Sequence, residues 1–211
     1  DSSLLACLAA EESGEPREAF TLVYSGASTT PGKETDRFWA ARTAERLGMR
    51  RREAVLDAGD LPSVLPRIVQ AFDEPFAGVA STWFLAQLIA RRFKTAISGD
   101  GADELFGSYL SHRLAGPLSR LPEYLRTKDR SLLEPFGDQV DFLQSLYEPD
   151  EGAWRAKLSV FSEREKGELL TDPAPRRPID DYWREQFAAV RSKDPLQRVL
   201  LAELHSQLPD Q

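Results

Sequence analysis

The chain has 211 residues, 41% of them hydrophobic and 29% charged, and carries a formal net charge of −7. It is long enough to bury a sizeable core and suits one domain, with room for a helical appendage. The acidic balance argues against a sequence-independent nucleic-acid surface, which needs a basic stripe. A single cysteine, Cys7, excludes an internal disulfide and a Cys-rich zinc site, and His112 and His205 lie too far apart in sequence to suggest a metal pair. No apolar run is long enough for a membrane span and no signal-peptide pattern occurs, so a cytoplasmic, reducing setting is the expectation.

Asp1-Ser2-Ser3 would cap a helix well, and Leu4 to Ala10 is nearly all apolar, a helix that should pack against a sheet, with Cys7 in its core face. Phe20-Thr21-Leu22-Val23-Tyr24 reads as a buried strand from its β-branched and aromatic content, with Val23 as plain core by chemistry alone. Residues 25–32 form a loop by composition. A helix is predicted from about Glu34 to Leu47, stopped by Gly48. Arg51 to Leu56 is a further strand, and Leu61 to Phe72 a helix capped by Asp60. This strand–helix–strand rhythm predicts a parallel sheet with crossover helices. Arg50-Arg51-Arg52 and Arg91-Arg92 read as solvated element ends.

Phe72-Asp73-Glu74-Pro75-Phe76-Ala77 breaks the chain before a helix that Ser81 and Thr82 would cap and that runs to Arg92. Thr95-Ala96-Ile97 reads as a buried strand, Ser98-Gly99-Asp100-Gly101 as a sharp turn, and Ala102 to Tyr109 as a helix with Asp100 as cap and Asp103 and Glu104 in its first turn. Such a turn, at the carboxyl end of a parallel strand, is where ligands bind in α/β sheets. Its acids suit either Mg²⁺, which takes oxygen ligands, or simply the helix dipole. Beyond His112 prolines, Pro117 and Pro122 among them, divide a charged region into short helices. Trp154 and Trp183 suggest apolar clusters, 171–178 a stiff loop, and Leu196 to Leu208 an amphipathic helix.

Ser98-Gly-Asp-Gly-Ala-Asp-Glu-Leu-Phe-Gly-Ser-Tyr109 closely resembles the second ATP-site motif of asparagine synthetases, S-G-[ED]-G-x-D-E-[LV]-F-G-G-Y. Asp1-Ser2-Ser3 is similar to the end of that family's PP-loop, S-G-G-x-D-S-S, and 72–77 to its D-E-P-F-A segment. The resemblance covers about residues 1–113. It implies an α/β fold with a parallel sheet flanked by helices, like the adenine nucleotide alpha hydrolases (the N-type ATP pyrophosphatases), and a mostly helical C-terminal half. It implies a nucleotide-binding core over 1–113 and a helical part of the same domain over 114–211, incomplete at its C-terminus.

The resemblance further implies ATP-dependent activation of a carboxylate as an acyl-adenylate, then amidation by ammonia from a glutaminase domain. Asp1 and Asp103 fall on Mg²⁺ ligands; Ser2 and Ser3 on the pyrophosphate cradle; Val23 on a backbone contact to adenine. Ser98 and Gly99 fall beside the ribose and α-phosphate, Asp100 on a catalytic glutamate, and Tyr109 on the family's tyrosine, where helix packing explains it as well. Ser81 and Thr82 would line the cleft. The preceding Ser-Gly-Gly, an N-terminal cysteine for glutamine hydrolysis and the later segment with a catalytic lysine are absent from this sequence. The resemblance thus implies an internal piece of a larger enzyme, homodimeric at full length, without turnover by itself. The competing readings are a relative that amidates another carboxylate, of a secondary metabolite or a cell-surface polymer (amide-forming cousins such as β-lactam synthetases share the architecture), a tRNA-modifying ATP pyrophosphatase, and a non-catalytic nucleotide-binding module. A Walker-type kinase or GTPase is excluded because no G-x-x-x-x-G-K-[ST] occurs.

Overall fold

The strand–helix–strand rhythm near the N-terminus folds as a parallel pair. In the computed structural model β1 (Glu18–Tyr24) and β2 (Arg50–Leu56) run in register from Glu18 opposite Arg50 to Tyr24 opposite Leu56. The structure describes residues 1–12, 17–25, 33–57, 59, 61–72, 79–171 and 177–206. Two compact units divide the chain, Asp1–Asp100 and Gly101–Gln211.

In the first unit, parallel neighbours need a crossover, and α2 (Lys33–Arg46) supplies it. Gly48 ends that helix at φ +63°, donating to the Glu45 carbonyl at 3.2 Å while Met49 donates to that of Ala44 at 2.8 Å. This is the Schellman arrangement, which needs a left-handed residue and so favours glycine. It delivers the chain into β2 one residue later. The described residues of the unit also form the helices α1 (Ser2–Glu12), α3 (Leu61–Phe72) and α4 (Val79–Ala90). Val23, Ala44, Leu56 and Ile68 are its buried apolar side chains among the described residues, and Phe20 meets Phe93 edge-on at 5.8 Å. The arginine clusters are largely spent on ion pairs: Arg52 donates twice to Glu18, with Arg92 nearby, and Arg37 and Arg51 both reach Glu53.

Several expectations are corrected here. Residues 95–97 join no ladder, and Ile97 is 75% exposed. A strand exists only through its partners, and β1 and β2 pair with each other alone among the described residues. The apolar helix α1 buries no side chain, with Leu4 62% exposed and Cys7 only partly covered. Ser81 and Thr82 lie inside α4, which begins at Val79, so they do not cap it. Asp60, most of the 25–32 loop and the 73–77 segment lie outside the described residues.

Among its described residues the second unit forms helices and no strand: α5 (Ala102–Phe106), α6 (Leu110–Thr127), a 3-10 turn (Arg130–Leu133), α7 (Val140–Leu146), α8 (Glu151–Ala156), α9 (Glu163–Leu169), α10 (Ile179–Ala189) and α11 (Pro195–Ser206). Pro117 and Pro122 do not divide α6 as expected; it runs through both for 18 residues. The stripe Leu114, Leu118 and Leu121, buried in the core with Leu133, Leu143 and Phe187, outweighs the backbone bonds the prolines remove. Trp154 and Trp183 are buried in the same core, as the composition suggested. At Gly152 the backbone of α10 comes so close that an added Cβ would lie 2.6 Å from the Arg184 nitrogen.

Candidate functional site

The first helix begins where its sequence says it should, with the Leu5 N–H donating to the Asp1 carbonyl at 3.0 Å. Asp1, Ser2 and Ser3 are all exposed, and Ser3 Oγ lies 3.4 Å from Thr43 Oγ1 on α2. Against this helix start lies Gly99. A Cβ there would stand 2.6 Å from the Ser2 nitrogen, 2.7 Å from Ser2 Oγ and 3.0 Å from Asp1 Cβ. No real Cβ fits such a space, so the two segments meet only because residue 99 lacks one. The structure therefore brings Asp1 and Ser2 together with Ser98, Gly99 and Asp100, although nearly the whole first unit separates them in sequence.

Within the second segment, the Ser98 hydroxyl donates to Asp100 Oδ2 at 2.8 Å, and the Asp100 N–H lies 3.4 Å from Ser98 Oγ. Asp100 is exposed, and this engagement corrects its expected role as a helix cap. The residue before α5 is Gly101, at φ +86° and without a side-chain cap bond. The helix predicted to reach Tyr109 stops at Phe106, because Gly107 at φ +80° breaks it and α6 starts afresh at Leu110. Asp103 sits half-buried in the first turn of α5, in the second unit. Glu104 beside it is buried and accepts the Tyr109 hydroxyl at 2.6 Å. Burial, and then the Glu104 carboxylate, push the Tyr109 phenol above its usual range. Val23 lies near the carboxyl end of β1 opposite Val55, its side chain buried, as the plain core reading expects.

Two groups of polar residues had escaped sequence reading. Just past the carboxyl ends of the strands, the Ser25 N–H donates to the Leu56 carbonyl at 2.9 Å and its hydroxyl to Asp57 Oδ2 at 2.6 Å. The Gly59 N–H donates to Asp57 Oδ1 at 2.8 Å. The Ser25 hydroxyl, then the Gly59 amide, hold the Asp57 carboxyl below the usual range. A position immediately beyond a parallel strand was the available signal. The other group is buried in the second unit. His112 Nε2 lies 2.7 Å from Glu203 Oε2, and Arg155 Nε donates to Glu203 Oε1. No local pattern announces that group.

The sequence-derived site offers carboxylates, hydroxyls and backbone amides. Among the described residues no three His, Cys, Asp or Glu side chains gather to hold a metal by themselves. Mg²⁺ commonly takes one or two carboxylates and completes its shell with water and substrate phosphate oxygens. Asp1 is exposed and Asp103 is half-buried, and each carboxylate offers the hard oxygen donors that Mg²⁺ takes. Among the described residues no helix is long and apolar enough to cross a membrane.

A profile of the asparagine synthase family matches residues 1–211. The chain belongs to that family. It is 28% identical over 178 residues to the glutamine-hydrolyzing asparagine synthetase 1 of Bacillus subtilis, an alignment covering 79% of this chain and 28% of that protein. It is also 28% identical over 177 residues to a putative glutamine-hydrolyzing asparagine synthetase of Mycobacterium bovis, covering 80% and 27%. With a putative glutamine-hydrolyzing asparagine synthetase 2 of Methanocaldococcus jannaschii it shares 30% identity over 131 residues, covering 59% and 24%. The matched part of the chain thus spans about a quarter of the length of these relatives. No solved structure matches.

Proposed function

We propose that this chain is part of the synthetase domain of an asparagine synthetase, with residues 1–113 as its nucleotide-binding core and 114–211 as its helical part. The reaction is amidation of aspartate at the expense of ATP, giving asparagine, AMP and pyrophosphate, in the cytoplasm and with ammonia from a glutaminase domain elsewhere in the protein. The observation that carries the reading is the approach of Gly99 to Asp1 and Ser2, which joins the two motifs that the resemblance assigns to one ATP site.

By the resemblance, Asp1 and Asp103 would each supply a carboxylate ligand to Mg²⁺, which would neutralise the charge of the polyphosphate and of the departing pyrophosphate. The backbone amides and hydroxyls of Ser2 and Ser3 donate to phosphate oxygens. Ser98 and Gly99 bound the ribose and α-phosphate, where a glycine lets backbone come close, and the backbone of Val23 faces the adenine. The aspartate carboxylate oxygen bonds to the α-phosphorus as pyrophosphate leaves; ammonia then bonds to the carbonyl carbon as AMP leaves. Asp100 is exposed and oriented by Ser98, and it is the carboxylate that faces the substrate during these steps.

Calorimetric titration with ATP, with and without Mg²⁺, tests the reading on the chain carrying an upstream strand and Ser-Gly-Gly. Binding is expected to require Mg²⁺ and to weaken at least about tenfold in Asp103→Ala and in Gly99→Ala, the loss of one charge-assisted contact or of the segment contact. Binding that ignores both Mg²⁺ and Asp103, or no binding at all, would falsify it.

A further inference from the structure

The acidic helix α5 has almost nothing apolar to hold it. It is five residues long, and Leu105 and Phe106 are 55% and 82% exposed. A helix this short is not stable by itself, so its position has to come from tertiary contacts. Those contacts are polar. Glu104 is 3% exposed and is tied to the Tyr109 hydroxyl. The turn that links α5 to α6 places the Ser108 and Tyr109 N–H groups 3.1 and 3.3 Å from His112 Nδ1.

Two donors aimed at Nδ1 assign that nitrogen as the acceptor, so the proton sits on Nε2. Nε2–H then donates to Glu203, whose other oxygen takes Arg155. His112, Arg155 and Glu203 are all buried, at 5%, 7% and 0% exposure. Arg155 is itself fixed by lying 4.1 Å over the Trp183 ring. A chain of contacts therefore runs from α8 and α11 through one imidazole to two backbone amides of the turn that ends α5. Gly107 completes the fit: a Cβ there would meet Leu200 of α11 at 3.4 Å and His112 Nδ1 at 3.5 Å.

We infer that His112 is a positioning residue for the acidic helix: Nδ1 fixes the turn at Ser108 and Tyr109, Nε2 is anchored on Glu203, and together they set where Asp103 and Glu104 stand. The consequence for nucleotide binding rests on the function proposed above; the positioning itself does not.

The two ring nitrogens can be tested separately. In His112→Asn the amide oxygen takes the place of Nδ1 while Glu203 loses its donor. In His112→Gln the amide nitrogen replaces Nε2 while the turn loses its acceptor. Amide hydrogen exchange at Ser108 and Tyr109 is expected to stay slow in His112→Asn and to quicken at least about tenfold in His112→Gln, the loss of a hydrogen bond. Mg²⁺-dependent ATP affinity, measured on the same variants of the extended chain, is expected to follow exchange: nearly unchanged in Asn and about tenfold weaker in Gln. Thermal unfolding of both variants separates this from general destabilisation, because Asn is expected to have the lower Tm yet the better affinity. Equal exchange in the two variants, or affinity that tracks Tm, overturns the inference. Should the unsubstituted protein bind no nucleotide, the function reading fails alone and the exchange comparison decides the positioning role.

Discussion

Glu203 carries more consequences than any other single side chain in the second unit. Burial pushes its carboxyl up, but the His112 hydrogen bond, the Arg155 charge and the Ser111 hydroxyl together outweigh that and leave it below the ordinary value. A carboxyl lowered in the folded state stabilises the fold above its unfolded pKa of about 4.3, and that contribution is lost as pH falls through the folded value. Urea unfolding across a pH series is therefore expected to show stability falling below about pH 4, with a flatter acid limb in Glu203→Gln. At neutral pH the same substitution is expected to cost about 3–5 kcal/mol, because Arg155 is left buried without its counter-charge. An acid limb of unchanged steepness would count against this assignment. Little of this was legible in the sequence. Glu203 sits 91 residues from His112 and 48 from Arg155, in an amphipathic stretch where a glutamate reads as solvated. The site motifs were legible because their residues are contiguous, but the meeting of Gly99 with Ser2 is a tertiary fact that neither segment encodes alone.

At the scale of elements, two helical glycines make opposite predictions. In α8 a Cβ on Gly152 would lie 2.6 Å from the backbone nitrogen and 3.0 Å from the Cα of Arg184 in α10, and backbone cannot swing aside. Gly152→Ala is expected to destabilise by about 1–3 kcal/mol as overpacking parts the helices. In α9 a Cβ on Gly167 meets nothing within 4 Å. Gly167→Ala is expected to stabilise by roughly 0.5–1 kcal/mol, through the unfolded chain's lost freedom. Thermal melts of the two variants check both signs. Periodicity and breakers located most elements: α3 spans the predicted Leu61 to Phe72, and Gly48 ends α2. Where the local signals misled, long-range packing decided. A proline pair did not break α6 because its leucine stripe is buried, and 95–97 formed no strand because a strand needs a neighbour that a local pattern does not specify.

Across the whole molecule, buried apolar side chains are unevenly shared. The second unit has a continuous core running through α6, α7, α8, α10 and α11, whereas the described residues of the first bury fully only Val23, Ala44, Leu56 and Ile68. Hydrogen exchange followed by mass spectrometry is expected to find the slowest amides in α6, α10 and α11, and faster exchange in α1 and β2. Uniform protection along the chain would contradict that division. The parallel pair has a kinetic consequence as well. Each rung joins residues the same distance apart, 50 − 18 = 32 at one end and 56 − 24 = 32 at the other. The first rung to form must close that whole loop, at an entropic cost of about 3 kcal/mol from its length alone, while every later rung closes nothing new. The sheet should thus assemble as one event with a slow first contact, and a helix already formed at α2 shortens the search by stiffening the span between the strands.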